Sequence, residues 1–543
     1  MPDHFPILSL IVFTPLLGVL ALLFVPKTNG RLIRWIGIGT TFLPLLLTGW
    51  LYAAFDLAAD GPQFAETLRW IAVSLNSELL EQLGSVETYR VQFDYALAAD
   101  GISLPLVFLT AFVATMAAFA SVHIKKRHKT YFILFLLLEM GMLGVFLARD
   151  LFLFFLFFEM TLVPMFFLIG IYGLYEREKA ANRFLVYNGV GSALMLIAFL
   201  TLIATAGMSI EGSSFVYSGS YDVIFKNIHD AAALSNMGPE FAQGFPNPFF
   251  LTEGNRAFVF FLLLIAFGIK LPIFPFHTWM LRVHTEAPPS IVMIHSGVLL
   301  KMGAYGLLKF GVFLFPNEAR EYAGLIAILG VVNILYGAAL AFVQKEFRLV
   351  LAYSSISHMG IVLLAVAAMN GIGMQGAVFQ MVSHGLISAL MFLIVGSIYE
   401  RTQSTLLSSM GGFAKSMPFL SGMLLVAGMA SLGLPGLSGF VSEFLAFLSL
   451  FDAMPIVTAV GCLGIIFAAV YVLRGVLAIT FGAAAETSLT YKDARWIEAV
   501  PMIALAAFIF LIGIYPAVLS EPLQSTIGGL EQWLTGAEAN GGG

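Results

Sequence analysis

The chain has 543 residues, of which 59% are hydrophobic and only 11% are charged, and its formal net charge is −5. Soluble domains carry about 25% charged residues, so this composition excludes an ordinary soluble protein and predicts a polytopic membrane protein with many spans of about 20 residues. Cys462 is the only cysteine. An internal disulfide and a cysteine-ligated zinc or iron–sulfur site are therefore excluded.

Apolar runs of spanning length follow one another along the whole chain, and they predict an all-α protein with about fourteen transmembrane helices. The first run has an almost uncharged start and is long enough to span, so it is not interpreted as a cleavable signal. The runs lie near residues 5–26, 32–55, 101–122, 130–148, 151–174, 184–207, 256–276, 288–310, 321–343, 347–369, 372–399, 418–450, 455–482 and 496–519.

The loops between these runs alternate in charge. Lys and Arg concentrate in every second loop, near 27–34, 125–129, 177–183, 345–348 and 492–495, whereas loops 56–100 and 208–255 are poor in both. The positive-inside rule places the basic loops in the cytoplasm or its equivalent. With an even number of spans, both termini are then predicted on the outer side.

Two of the runs are interrupted by proline and glycine. FGIKLPIFP interrupts the seventh run, and SLGLPGLSGFVSEF interrupts the twelfth. Each interrupted run is the fourth member of a unit of five, so the two units would be inverted repeats with broken helices in matching positions, as in transporters. The predicted divisions are 1–122, 123–310 (first repeat), 311–485 (second repeat) and 486–543. Chance proline and glycine kinks are the alternative, because both residues are frequent in membrane helices.

A few ionisable residues fall inside the predicted spans. A lysine at a helix centre costs on the order of 3 kcal/mol on insertion scales, so a buried charge is a functional-site hypothesis by default. Pro272 and Pro275 break the helix just after one such lysine. The residues are Glu139, Glu159, Lys270, His295, Lys301, His358, His384 and Glu443.

We expect Glu159 to pair with Lys270 and to control whether that amine holds or releases a proton. Lys301, His358, His384 and Glu443 follow in chain order as a predicted proton relay, since histidine and buried lysine can both exchange protons. Structural interpretations stay open for other residues.

The open alternatives are these: Lys309 and Arg474 would snorkel to the interface, His384 would only bond across helices, His295 would lie at the interface, and Glu139 would pair with a neighbour. The sequence has no G-x-G-x-x-G or Walker motif. Electron carriers and nucleotide sites are therefore expected only in partner chains.

Several motifs together resemble the antiporter-like subunits of respiratory complex I, the proton-translocating NADH:quinone oxidoreductase, and M-type subunits (subunit 4) most of all. The motifs are FFEMTLVPMFFLIGIYG, FGIKLPIFPFHTWMLRVHTEAP, SGVLLKMGAYGLLKFG, YSSISHMGIV, MVSHGLISALMF and GLPGLSGFVSEF. The resemblance implies fourteen helices, two inverted five-helix repeats and one proton channel. It assigns roles in proton translocation to Glu159, Lys270, Lys301, His358, His384 and Glu443.

Glu443 distinguishes among the related subunits, because L-type and N-type subunits and multisubunit sodium/proton antiporters usually have lysine there. The chain also ends soon after its fourteenth run, so no long lateral helix of the L type is expected. The segment MLRVHTEAP departs from the LPDAH pattern of many relatives, which leaves the details of that loop open.

The resemblance implies a membrane-arm subunit that translocates protons, driven by quinone reduction elsewhere in the complex. FMN, iron–sulfur clusters and quinone are then expected in partner subunits, L-type and N-type subunits as neighbours, and the bacterial plasma membrane as the location. Two alternatives stay open. One is a subunit of a multisubunit sodium/proton antiporter, and the other is a membrane scaffold whose buried charges only hold helices together.

Overall fold

The computed structural model describes residues 5–59, 61–74, 88–211, 214–229, 251–483 and 490–535, so the predicted outer loops 56–100 and 208–255 fall only partly within it. The helices are α1 (Ile7–Phe24), α2 (Gly30–Ala54), α3 (Ser103–Ala120), α4 (His128–Leu147), α5 (Leu151–Tyr172), α6 (Arg177–Ala204), α7 (Tyr221–His229), α8 (Glu253–Lys270), α9 (Thr278–Glu286), α10 (Pro289–Val312), α11 (Pro316–Glu321), α12 (Ala323–Val343), α13 (Phe347–Ala367), α14 (Gly371–Thr402), α15 (Phe413–Ser416), α16 (Pro418–Ser431), α17 (Ser438–Phe451), α18 (Pro455–Phe481), α19 (Trp496–Ile514) and α20 (Ala517–Thr535).

The predicted spans are confirmed. Within the described ranges, 12 helices are long and apolar enough to cross a membrane. The seventh and twelfth predicted spans are each two shorter helices, α8 with α9 and α16 with α17, separated at residues 271–277 and 432–437. Proline removes a backbone donor and glycine tolerates positive φ, which explains why the helices stop at these two places. The division into two inverted repeats stays a prediction.

A small β-sheet outside the helical body was not predicted. Its strands are β1 (Gln63–Ser74), β2 (Thr88–Ala99), β3 (Met208–Glu211) and β4 (Ser214–Ser218), in the order β1-β2-β4-β3. Strands β1 and β2 are antiparallel, β2 and β4 parallel, and β3 and β4 antiparallel. The predicted C-terminal tail likewise contains a helix, α20. Apolar run length detects membrane spans, but it does not detect short strands or amphipathic helices.

The two ends of the helical body differ in character. The sheet end carries the sheet and the start of α1, where Glu66 of β1 accepts a hydrogen bond from the Leu8 amide at 2.7 Å. It also carries the start of α20, where the Tyr52 hydroxyl donates to the Val518 carbonyl. The basic end carries the Lys- and Arg-rich loops, as the charge pattern predicted, and there Arg401 donates to the Lys492 carbonyl at 2.7 Å.

Helices α10 and α14 form the centre of the body, and their most apolar stretches are completely buried. They cross in close contact because glycines face each other: a Cβ on Gly385 would lie only 2.7 Å from the Gly297 carbonyl oxygen. Small residues permit such close approach of membrane helices. Helix α10 also contains two π-helical turns, at His295–Leu299 and Leu307–Val312, which are frequent at functional sites.

Candidate functional site

Lys270 lies where helix α8 stops, next to the first helix break. Its side chain is buried, with 2% of the residue exposed. The Nζ atom lies 4.8 Å from the ring centroid of Phe158 and 5.6 Å from that of Phe184. Ring faces attract a cation without fixing its proton in a hydrogen bond. The amine is thus held by aromatic faces beside a non-helical segment.

The expected ion pair between Glu159 and Lys270 is not formed. Within the described residues no ion pair joins them, and both Glu159 Oε1 and Lys270 Nζ are buried without a hydrogen-bond partner. The physical reason is that the amine packs against the rings of Phe158 and Phe184 instead. The carboxyl and the amine therefore act on each other through space, and the prediction of direct contact is wrong.

Lys301 lies on the central helix α10 and is completely buried. Its Nζ lies 2.7 Å from His384 Nδ1 on α14 and also donates to the Ser296 carbonyl oxygen. The close crossing at Gly297 and Gly385 brings these two helices near enough for this contact. His384 therefore bonds across to α10, as its structural interpretation expected, and its partner there is an amine that can exchange a proton with it.

The contacts continue from His384 to the second helix break. The rings of His384 and His358 lie 5.3 Å apart between centroids, and His358 Nδ1 lies 3.4 Å from Glu443 Oε1. Ser431 Oγ, at the end of α16, lies 3.4 Å from His358 Nε2. The spatial order is Lys301, His384, His358, Glu443, so the two histidines are exchanged relative to the chain order that was predicted.

Glu443 is positioned by the break between α16 and α17. Gly433 in this break has φ +70°, and a Cβ there would lie 2.8 Å from Glu443 Oε2. Glycine is needed at this place both for the positive φ and for the space beside the carboxylate. The break thus puts a buried carboxyl within reach of His358 and leaves it room.

Two buried histidines belong to the same region, and one of them was missed from the sequence. His284 Nε2 lies 2.9 Å from His295 Nδ1, and both residues are completely buried. His295 therefore lies inside the helical body, in contact with His284, and its depth relative to the membrane interface stays a prediction. His284 is not among the ionisable residues assigned to the predicted spans, but it lies on α9, the second half of the broken helix. Extending the predicted helix beyond the break would have included His284.

The remaining charged residues selected from the sequence lie in different environments. Glu139 is completely buried, and in the described part of the chain neither carboxyl oxygen has a hydrogen-bond partner. Lys309 does not snorkel: it is 5% exposed and forms an ion pair with Asp100 at the sheet end. Arg474 donates to the carbonyls of Phe342 and Gln344 at the basic end, where an interfacial arginine was expected.

One group of possible metal ligands occurs within the described ranges, formed by His123, Glu400 and Glu498 at the basic end. Arg401 binds Glu498 with two hydrogen bonds, of 3.0 Å and 2.7 Å, and Arg495 lies 3.1 Å from Glu400. Two arginines already compensate the two carboxylates. We interpret the group as an ion-pair cluster that ties α14 to α19.

The arrangement suits proton transfer. Lys301, His384, His358 and Glu443 are all at least nine-tenths buried. Lys301 contacts His384, the rings of His384 and His358 lie next to each other, and His358 contacts Glu443. Each imidazole can accept a proton at one nitrogen and donate from the other. Buried ionisable groups beside broken helices are typical of ion-translocating membrane proteins. The fold and the site thus define a membrane protein of the ion-translocating class.

The comparisons with known proteins agree with this class. The family model described as NADH:quinone oxidoreductase/Mrp antiporter, TM matches residues 148–468, and the chain belongs to this family. It is 36% identical to NAD(P)H-quinone oxidoreductase chain 4 2 of Thermosynechococcus vestitus, over 99% of this chain and 94% of the relative. It is 34% identical to NADH-quinone oxidoreductase subunit M of Rhodobacter capsulatus, over 97% and 96%.

A solved structure shares the whole fold. The chain aligns with a subunit of respiratory complex I from Thermus thermophilus with a TM-score of 0.80 and 26% identity, over 97% of this chain and 99% of that one. The family, the fold class and the helical membrane architecture inferred from the sequence are therefore confirmed.

Proposed function

We propose that this chain is a proton-translocating membrane-arm subunit of an NADH:quinone oxidoreductase. The observation that carries the proposal is the continuous set of buried contacts from Lys301 through His384 and His358 to Glu443. A scaffold would need each buried charge to be compensated by an opposite one. Lys301 instead contacts an imidazole nitrogen and a carbonyl oxygen, and the imidazole nitrogen can accept its proton.

Proton transfer along this route can be written as three steps, of which the middle one joins two rings whose centroids lie 5.3 Å apart. The Lys301 ammonium gives a proton to His384 Nδ1, which leaves a neutral amine and an imidazolium. A proton then passes to His358, and Glu443 Oε1 accepts one from His358 Nδ1. In each step one group loses a proton and its neighbour gains it, so charge and proton count balance.

Lys270 and Glu159 form the other half of the proposed route. Helices α8 and α10 touch at Gly303, where a Cβ would lie 3.0 Å from Lys270 Cβ. Gly303 follows Lys301 by two residues, so the two amines occupy adjoining helices. Protonation or deprotonation of the Glu159 carboxyl would change the electrostatic potential at the Lys270 amine and, in turn, at Lys301. The driving energy would come from quinone reduction in other subunits.

The assignment brings partners and a location with it. FMN, iron–sulfur clusters and quinone would be held by partner chains, L-type and N-type subunits would be the membrane-arm neighbours, and the chain itself would hold no redox group or nucleotide. The bacterial plasma membrane is the proposed location, since the chain is 34% identical to subunit M of the bacterium Rhodobacter capsulatus.

Replacing Lys270 by Ala in the assembled complex tests the function. NADH oxidation linked to quinone and proton translocation are measured in the same membranes, after the content of the complex has been checked. We expect proton translocation to fall strongly. Unchanged translocation would refute the channel and leave the scaffold alternative.

A matched pair of carboxyl variants tests the assignment of Glu159. Glu159→Gln should lower proton translocation more than Glu139→Gln, because only Glu159 lies on the helix that packs its Phe158 ring against the Lys270 amine. Both residues are buried or half-buried carboxylic acids on neighbouring helices, so the second variant controls for loss of a buried acid. Equal effects would show that the wrong carboxyl has been chosen.

Purification separates the proposal from the antiporter alternative, which the same family includes. The chain is tagged and isolated from native membranes under mild conditions, and the visible absorption of the preparation is recorded. Flavin and iron–sulfur absorbance in a fixed ratio to the chain supports the redox-driven complex. Isolation of an intact complex without either absorbance would favour a cation/proton antiporter.

A further inference from the structure

A large cavity lies at the basic end, apart from the contacts between Lys301 and Glu443. It has a volume of about 640 Å³ and lies between α9, the start of α13 and the end of α14. Small-molecule sites in proteins generally measure about 300–1,000 Å³. The cavity is therefore large enough for a ligand rather than for a few water molecules.

Arg348 supplies the main observation. The residue is only 3% exposed, and its guanidinium carbon lies 4.5 Å from the centroid of the Tyr399 ring. Its Nη1 donates to the Thr285 carbonyl at 3.0 Å. Within the described part of the chain, its Nη2 is buried and has no hydrogen-bond partner. A buried donor of a charged group is costly to leave unpaired, and this one belongs to a side chain that lines the cavity.

The charged groups around the cavity limit the charge of its ligand. Three arginines and two glutamates line it, which gives a net charge of +1: Arg183, Arg282, Arg348, Glu286 and Glu346. The two carboxylates already accept hydrogen bonds from the protein, one from the Glu176 amide at 2.8 Å and one from the Thr405 hydroxyl at 2.9 Å. Arg282 is paired with Glu176 at 3.0 Å.

Arg348 is thus the buried cation with a free donor in this wall. Guanidinium groups match the geometry of phosphate oxygens, and a phosphodiester carries only one negative charge. A ligand with several negative charges would leave charge uncompensated beside the two carboxylates.

Apolar and hydroxyl side chains complete the cavity. Leu174, Leu281, Leu349 and Leu406 line it together with Thr278 and Tyr353, and Leu406 is 49% exposed. A wall that combines a cation, hydroxyls and leucines fits a phosphodiester attached to an acyl glycerol. Basic pockets between helices on the cytoplasmic side of membrane proteins bind lipid headgroups of this kind.

We propose that this cavity binds a phosphate group through Arg348, namely the phosphodiester of an anionic phospholipid. The ligand would join the two halves of the chain at the basic end, since Thr285 belongs to α9 and Tyr399 to α14. The proposal does not depend on proton translocation, because none of these residues belongs to the route from Lys270 to Glu443.

The test uses the assembled complex, placed in nanodiscs of phosphatidylcholine alone, of phosphatidylcholine with phosphatidylglycerol, or of phosphatidylcholine with 10 mM inorganic phosphate. Bound phosphorus is located by electron cryo-microscopy, and retained phosphatidylglycerol is counted by mass spectrometry after delipidation. We expect density beside Arg348 in the phosphatidylglycerol nanodiscs. Arg348→Gln should weaken retention of one phosphatidylglycerol about tenfold, as loss of a charge-assisted hydrogen bond predicts.

Arg183→Gln is a second variant on the exposed rim of the cavity, which removes charge without disturbing the packing around Tyr399. It should weaken retention to a smaller extent. Arg474→Gln is the matched control, because Arg474 lies at the same end but binds carbonyls outside the cavity. This variant should retain as much phosphatidylglycerol as the unchanged chain.

Three results would overturn the proposal. Density that appears only with inorganic phosphate would refute the lipid assignment. No density beside Arg348 with phosphatidylglycerol would refute the site. Equal retention by Arg348→Gln, Arg183→Gln and the control would show that the retained lipid lies elsewhere.

Discussion

Two lysines on the same helix show how differently a buried amine can be used. Lys301 and Lys309 lie eight residues apart on α10, and both are at least 95% buried. Lys309 forms an ion pair with Asp100, which also lies 3.4 Å from Arg149. Lys301 contacts the Nδ1 atom of His384 and a carbonyl oxygen, and no ion pair with a carboxylate is found for it among the described residues.

The two amines differ in how easily they can lose a proton. A carboxylate beside a buried ammonium makes loss of the proton costly, because a lone buried charge would remain. An imidazole partner can take the proton itself, so the number of buried charges stays the same when the amine becomes neutral. The Lys309 cluster therefore serves as a fixed connection at the sheet end, whereas Lys301 belongs to the part that must change its charge during transport.

Replacing Lys301 by Met is expected to have the largest effect on transport. The substitution keeps an unbranched apolar chain but removes the exchangeable proton next to His384. Proton translocation should therefore fall at least about tenfold, a conservative bound because one positioned acid or base typically contributes roughly 10²–10⁴-fold. Translocation is measured as acidification per NADH oxidised in vesicles with matched content of the complex. Translocation within a factor of two of the unchanged chain would contradict the relay.

Lys309→Met is expected to damage stability instead. Breaking a buried ion pair by removing one partner costs up to roughly 3–5 kcal/mol, and here the Asp100 carboxylate would keep only the more distant Arg149, at 3.4 Å, as its partner. We expect a lower thermal unfolding midpoint and less assembled complex, with nearly normal proton translocation per assembled complex.

The double variant Asp100→Asn with Lys309→Met provides the control for this prediction. Removing both charges should recover part of the lost stability, because no buried carboxylate then depends on the more distant Arg149 alone. If the double variant is as unstable as the sum of the two single variants, the pair is not coupled. If Lys309→Met abolishes translocation in fully assembled complex, the distinction between the two lysines is wrong.

The Asp100 carboxyl also predicts a dependence of stability on pH. Burial would raise its pKa, but Lys309 and Arg149 outweigh burial and lower the pKa from 3.8 to about 2. A lowered pKa in the folded state means that the stabilisation is complete above about pH 4 and is lost as the pH falls toward 2. The expected loss is roughly 2 kcal/mol.

Hydrogen exchange of the β2 amides between pH 4 and pH 2 measures this effect, with rates corrected for the intrinsic dependence on pH. The unchanged chain should lose protection across this window more steeply than Asp100→Asn, which has no carboxyl to protonate. Parallel loss of protection in both chains would mean that other groups determine the acid sensitivity of the sheet end.

Much of the fold was predictable because membrane insertion depends on simple quantities. Run length and apolar content place the spans, and proline with glycine marks the breaks after Lys270 and before Glu443. The sheet was not predictable in this way, because strands such as β2 depend on pairing with β1 and β4, which lie far apart in the chain.

The site was predictable in its members but not in its contacts. A charged residue in an apolar run is conspicuous, so Lys301 and Glu443 could be selected from the sequence. The exchange of His358 and His384 in space depends on how α13 and α14 pack, and the missing Glu159–Lys270 contact depends on where the Phe158 ring lies. Lys309 was misjudged because its partner, Asp100, lies 209 positions earlier in the chain.

The smallest predicted effect tests whether the relay needs the space that the second helix break provides. Gly433 and Gly436 both have positive φ, +70° and +92°, so alanine at either position should cost roughly 1 kcal/mol through backbone strain. Their surroundings differ: a Cβ at Gly433 would lie 2.8 Å from Glu443 Oε2, whereas a Cβ at Gly436 would have nothing within 4 Å.

Gly433→Ala should therefore displace the carboxylate from His358 and lower proton translocation several-fold, while Gly436→Ala should leave translocation nearly normal at a similar unfolding midpoint. Equal translocation by the two variants would show that Glu443 does not have to stay beside His358, and the relay would then have to end at the histidines.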